Sequence, residues 1–129
     1  MEIELRSVML NAFADNPVLS SELNSITEEA PARASLPWLA ITTSASTDWS
    51  HKTGRGREIR VAVELQCRGD DPATAALLVR RIEKAIEDIS EEQDGFTIVS
   101  AHFLRARTEQ RRPAVRAILF EYRFRLLAH

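Results

Sequence analysis

The chain has 129 residues, 44% of them hydrophobic and 28% charged, with a formal net charge of −2. That length fits one domain with a core of ordinary size, and the composition excludes a disordered chain. The small net charge gives no global pull toward nucleic acid or anionic membrane, and no apolar run approaches the roughly 20 residues that span a bilayer.

Residues Glu2 to Ala14 carry Leu5, Val8, Met9, Ala12 and Phe13 at helical spacing, with Glu2 and Glu4 in the first turn where the helix dipole favours negative charge. Asn16-Pro17 ends that helix. It also starts a second short one, Pro17 to Asn24, with Asn16 as cap and Pro17 at the first helical position. Ser25 to Ser35 is polar and reads as a connecting loop. Trp38 to Thr43 is a short strand, and the polar stretch Ser44 to Gly56 reads as a long loop.

The clearest strand follows. Ile59, Val61, Val63, Leu65 and Cys67 alternate with Glu58, Arg60, Glu64 and Gln66, a period of two that means one buried face. Arg68-Gly69-Asp70 turns the chain. Asp71 then caps a helix with Pro72 at its first position. Leu78, Val79, Ile82, Ile86 and Ile89 are its apolar stripe, and it should end near Ser90. Gly95 closes the next turn. Phe96 to Arg107 is a strand whose inward set is either that of Ile98 or that of Val99. Gln110 to Pro113 is a turn. Val115 to Leu127 is the last strand, with Ile118, Phe120, Tyr122, Phe124 and Leu126 inward and Arg116, Glu121, Arg123 and Arg125 outward.

These elements predict a single α+β domain over residues 1–129. Its four-stranded, mainly antiparallel sheet carries helices on one face, in the order α-β-β-α-β-β.

No chemistry of an enzyme assembles. Cys67 continues an apolar strand face, the histidines lack metal-pair spacing, and Gly54-Arg55-Gly56 precedes a strand rather than the helix a phosphate loop needs. No enzyme activity, metal or cofactor is expected. The lone cysteine and the lack of a secretion signal suggest a soluble protein made in the cytoplasm.

Two features suggest contact with other macromolecules. Trp49 sits in a polar loop with Asp48, Lys52, Arg55 and Arg57, and Trp is a frequent interface anchor. Arg105, Arg107, Arg111 and Arg112, with Arg116, cluster around the last hairpin. No aromatic residue is interleaved there for base stacking, so a protein contact or a solvated face is favoured over DNA. The region before His51 is mostly acidic and that after Phe103 is rich in Arg, which fits either oriented subunits or two solvated faces.

Three motifs carry a family resemblance: Pro37-Trp38-Leu39-Ala40-Ile41; Trp49-Ser50-His51-Lys52-Thr53-Gly54 followed by the alternating strand Ile59 to Leu65; and the Ile82/Ile86/Ile89 helix leading to Leu119-Phe120-Glu121-Tyr122-Arg123-Phe124. In their order and spacing the chain resembles the tail-completion, or tail terminator, proteins of long-tailed bacteriophages and gene transfer agents. Two departures are Gln66-Cys67, where an aromatic often ends the second strand, and Ser25 to Arg33, which lacks the usual short apolar strand beyond Ile26.

The resemblance implies a ring, typically a homo-hexamer, that caps the finished tail tube. Its partners would be the major tail tube protein and the head–tail connector protein, with no membrane and with DNA at most passing through the ring lumen. The protein would be cytoplasmic during assembly and then part of the particle. The alternatives are a head–tail connector or stopper, and a DNA-binding accessory module using the Arg-rich hairpin.

Overall fold

The computed structural model describes residues 1–33 and 35–129. Helix α1 spans Glu2–Asp15, and α2 spans Pro17–Glu22. Strands β1 (Ser25–Thr27), β2 (Trp38–Asp48) and β3 (Gly56–Arg68) follow. Then come helix α3 (Pro72–Glu87) and strands β4 (Glu92–Gln93), β5 (Phe96–Arg111) and β6 (Val115–Ala128). All six strands form one sheet in the order β1-β2-β3-β6-β5-β4. The β1–β2 pairing is parallel and the others are antiparallel. The expected four-stranded sheet in the order α-β-β-α-β-β is therefore incorrect; the sheet is six-stranded, mixed and curled into a half-barrel.

Each departure has a physical cause. β1, within the expected loop Ser25 to Ser35, has three residues, too few to show alternation; its Ile26 pairs with Leu39. Ala34, in the same expected loop, lies outside the described residues. β4 has two residues, paired to Thr97 and Phe96 across the turn closed by Gly95, whose φ is 87°. The expected loop from Ser44 is instead the second half of β2. Ser44 to Asp48 pairs residue by residue with Val61 to Arg57, after a bulge between Ile41 and Thr43. These residues carry no large apolar side chain because this half of the strand lies beyond the core, so the backbone ladder holds it.

β5 explains why neither inward set fitted it. Ile98 pairs with Leu126 and Ser100 with Arg125, leaving Val99 as an extra residue. Phe103 pairs with Tyr122 and Arg105 with Glu121, leaving Leu104 extra. Each bulge shifts the period by one. The face shared with the core thus runs Phe96, Ile98, then Ala101, Phe103, then Ala106, Thr108. Arg116 also departs from expectation. It has the parity of Ile118, not that of Glu121, and lies at the end of the core face, where Nη2 donates to the Gly69 carbonyl at 3.4 Å.

The helices begin where the caps predicted. Asn16 Oδ1 accepts from the Val18 and Leu19 amides, both at 3.1 Å, and Asp71 Oδ1 accepts from the Ala73 amide at 2.9 Å. Leu5, Met9 and Phe13 of α1, Leu19 of α2, and Leu78, Ile82 and Ile86 of α3 form one core with Leu39, Ile41, Ile59, Val63, Leu65, Phe120 and Phe124. Phe120 pairs with Val63 and Phe124 with Ile59, all fully buried. Each such side chain contributes roughly 1.5–3 kcal/mol by burial. The opposite face of the sheet carries the charge, and that face and the two ends of the strands position the candidate site.

Candidate functional site

With β2 extended to Asp48, the Trp49 segment becomes the seven-residue end of a long hairpin, Trp49 to Arg55. It is well tied. The Trp49 amide donates to the Gly56 carbonyl at 2.9 Å, and the His51 amide to that of Gly54 at 2.8 Å. The Ala128 amide donates to the Arg55 carbonyl at 2.8 Å, fixing the loop to the end of β6. Ser50 Oγ donates to Asp48 Oδ1 at 2.7 Å and accepts from the Gly56 amide at 3.1 Å. Gly56 has no alternative here, because a Cβ would lie 2.3 Å from the Trp49 carbonyl oxygen and 2.9 Å from that of Leu126.

The indole folds back onto its own sheet. Its ring meets His51 edge-on at 4.6 Å, and the Arg125 guanidinium lies 5.5 Å from its centroid. Trp49 is half-buried, whereas Lys52, Arg55, Arg57 and Asp48 are exposed. Arg57 pairs with Asp48 in register, yet its Nη1 donates to Ser46 Oγ at 3.3 Å. Lys52, at the tip, and Arg55 form no ion pair among the described residues. The loop thus presents two uncompensated cations on a stiff support.

The second candidate cluster runs from the middle of the same strands, at Arg105, to their other end, at Arg111 and Arg112, about 20 to 40 Å of strand away at roughly 3.3 Å per residue. Most of its charge is already matched. Arg105 grips Glu121 with two hydrogen bonds, at 2.8 and 3.1 Å. This holds the Glu121 carboxyl below its ordinary range and raises the arginine. Arg107 meets Glu109 at 3.1 Å; Arg111 meets Glu109 at 3.2 Å and Glu64 at 3.0 Å. Arg112, in the turn, and Arg116 form no ion pair among the described residues. Further along the same face Glu58 accepts from Arg125 at 3.0 Å. A groove of about 310 Å³ crosses the sheet here, lined by Thr43, Ala45, Arg60, Ala62, Arg105 and Glu121.

Glu64 was missed as a functional residue by sequence reasoning. Alternation gave its face, but its burial to 8% exposure and its link to a residue 47 positions away have no sequence signal. The exposed apolar pair Val99 and Phe103 was missed because the bulges hid its face.

Cys67 is buried, which pushes its thiol up, and it has no base beside it. No group of His, Cys, Asp and Glu among the described residues is arranged to hold a metal ion. No helix among them is long and apolar enough to cross a membrane.

Comparison with known proteins places the fold. The solved structure titled "Virion of native gene transfer agent (GTA) particle" contains a chain with the same fold: the TM-score is 0.72 at 19% identity, covering 96% of this chain and 95% of that one. Curated proteins give no match. The family model of Tail completion protein gp17 matches residues 7–127. With nearly the whole sheet, α2, α3 and most of α1 inside that match, the chain belongs to the Tail completion protein gp17 family, a family of structural components of phage-like tails.

Proposed function

We propose that this protein assembles as a ring, a homo-hexamer, on the finished tail tube and offers the surface that joins tail to head. Membership of the tail-completion family over residues 7–127 is the observation that carries this reading. The likeness in fold to a chain of a gene transfer agent particle supports it. In this reading the Trp49 hairpin is the docking element, and Lys52 and Arg55 meet carboxylates of the tube protein or of the adjacent subunit. A stiff hairpin with unpaired cations at its tip suits that role, because little ordering entropy is lost on contact. The hairpin at Arg111-Arg112 then acts mainly within the subunit, since Arg105, Arg107 and Arg111 are matched by Glu121, Glu109 and Glu64. DNA passes the ring without a dedicated contact.

Native mass spectrometry of the purified protein, followed by electron microscopy of particles, tests the proposal. A closed ring at the head-proximal end of isolated tails is the expected result. Finding the protein on isolated heads and not on tails would assign it to a connector or stopper instead.

A further inference from the structure

Among the described residues three large hydrophobic side chains are exposed: Ile3 (70%), Val99 (48%) and Phe103 (46%). They are not scattered. Val99 and Phe103 lie on β5, and Ile3 is in the first turn of α1, whose neighbouring Glu2 is hydrogen-bonded to Ser44 of β2. The apolar exposure therefore sits at two opposite margins of the sheet.

Both margins also have open backbone. The Ile98 amide donates to the Glu91 carbonyl at 2.7 Å, and beyond it no strand flanks β5 on its outer side among the described residues, so the edge is free from Val99 to Arg111. On the other side β1 covers only Trp38 to Ala40 of β2. Arg6 reaches the Ile41 carbonyl at 3.4 Å and Ser44 Oγ at 2.9 Å, after which the edge is free to Asp48. An open edge of this length is an invitation to another strand, and stable proteins cover it or blunt it.

The two edges match each other. Strands β2, β3, β6 and β5 alternate in direction, so β5 runs opposite to β2. The β2 edge of another copy laid beside β5 continues the antiparallel order. The apolar residues match as well. A trough of about 270 Å³ lies between α3 and β5, lined by Glu83, Ile86, Glu87, Ala101, Phe103 and Tyr122. It opens on the helix-bearing side of the sheet, the side on which α1 also packs. A sheet continued from copy to copy brings Ile3 of one to the trough of the next.

We propose that β5 and the α3–β5 trough of one subunit receive the outer edge of β2 and Ile3 of a second copy of this chain. This rests on the ring reading and names its subunit joint: a heterologous contact, which closes into a ring where the rotation allows. Main-chain hydrogen bonds set the register, and Ile3 against Phe103 and Tyr122 supplies the apolar anchor. Carboxylates stand on both sides, Glu2 and Glu4 against Glu83 and Glu87, so the joint is held by burial and backbone pairing and is favoured by added salt.

Cysteine cross-linking tests it. Ile3→Cys and Phe103→Cys proteins are treated with a short bismaleimide, alone and mixed, at concentrations up to millimolar and also on tail tubes of the same particle; Cys67 is buried and stays silent. The expected result is a cross-linked dimer only in the mixture, and a ladder up to the closed ring for the double variant. In parallel, Phe103→Asp should keep its circular dichroism spectrum and raise the dissociation constant of the oligomer at least tenfold. Cross-linking of Phe103→Cys alone would mean symmetric edge pairing and overturn the proposal. A ring seen by native mass spectrometry with no cross-link in the mixture would overturn this joint and leave the ring standing. A monomer under every condition, tubes included, would overturn both.

Discussion

Arg111 of β5 reaches across β6 to donate to Glu64 of β3, Nη1 to Oε2 at 3.0 Å. Three neighbouring strands are thus clasped at the hairpin end of the sheet. Glu64 is 8% exposed and also accepts from Nε2 of the Gln66 side chain, so its charge is held by these two donors.

Removing the guanidinium leaves a carboxylate in a site built for an ion pair. Arg111→Met, which keeps the stem, should cost about 1–2 kcal/mol, less than a fully buried pair because Arg111 is 39% exposed on its side chain. Urea denaturation measures this. Adding Glu64→Gln to Arg111→Met should restore part of the loss, since no buried charge then remains.

Gly56 sets the geometry of the Trp49 hairpin. Gly56→Ala forces a Cβ against two backbone carbonyls, which cannot rotate away. A loss of about 2–3 kcal/mol is expected by denaturation. It should come with increased proteolysis between Trp49 and Arg55.

Trp49 and Lys52 separate folding from docking. Trp49→Ala removes contacts with His51 and Arg125 and should cost about 1 kcal/mol of stability. Lys52→Glu should leave stability unchanged, because the side chain is exposed and pairs with nothing among the described residues. Both should weaken attachment to the tail or ring formation. Unchanged oligomers and normal particle joining in both variants would remove the hairpin from the docking surface.

The acid side of the stability profile has an assigned source. Hydrogen bonds from Arg105 lower Glu121, and hydrogen bonds from Ser44 and Ser46 lower Glu2, each from an ordinary value of 4.5. A carboxyl with a lowered folded-state pKa contributes stability that is fully present above its unfolded value and lost as pH falls through the folded one. Thermal melts should therefore hold steady above about pH 5 and decline below about pH 4. Glu121→Gln should make that decline shallower.

The helices and the two long central strands were legible because each carries a local signal: a cap, a proline, or a period of 3.6 or 2. Ile59 to Cys67 needs no partner to be read. What failed had its cause elsewhere in the chain. Ser44 to Asp48 is a strand because Arg57 to Val61 lies beside it, and β1 is a strand because Leu39 does. The candidate site divides the same way. Trp49, Lys52 and Arg55 stood out by residue type and setting. The pairing that neutralises Arg105, Arg107 and Arg111 is a property of three strands in register, visible only once the sheet is built.

The two bulges in β5 have a consequence for how this margin can change. Val99 and Leu104 are the residues for which β6 has no counterpart. Deleting either one keeps every cross-strand pairing on both sides and removes only a bend. A deletion at most other places in the strand would exchange its two faces. The contour of this edge is therefore adjustable in single-residue steps without altering what faces the core, and length variation confined to those two positions would reshape the margin while sparing the fold.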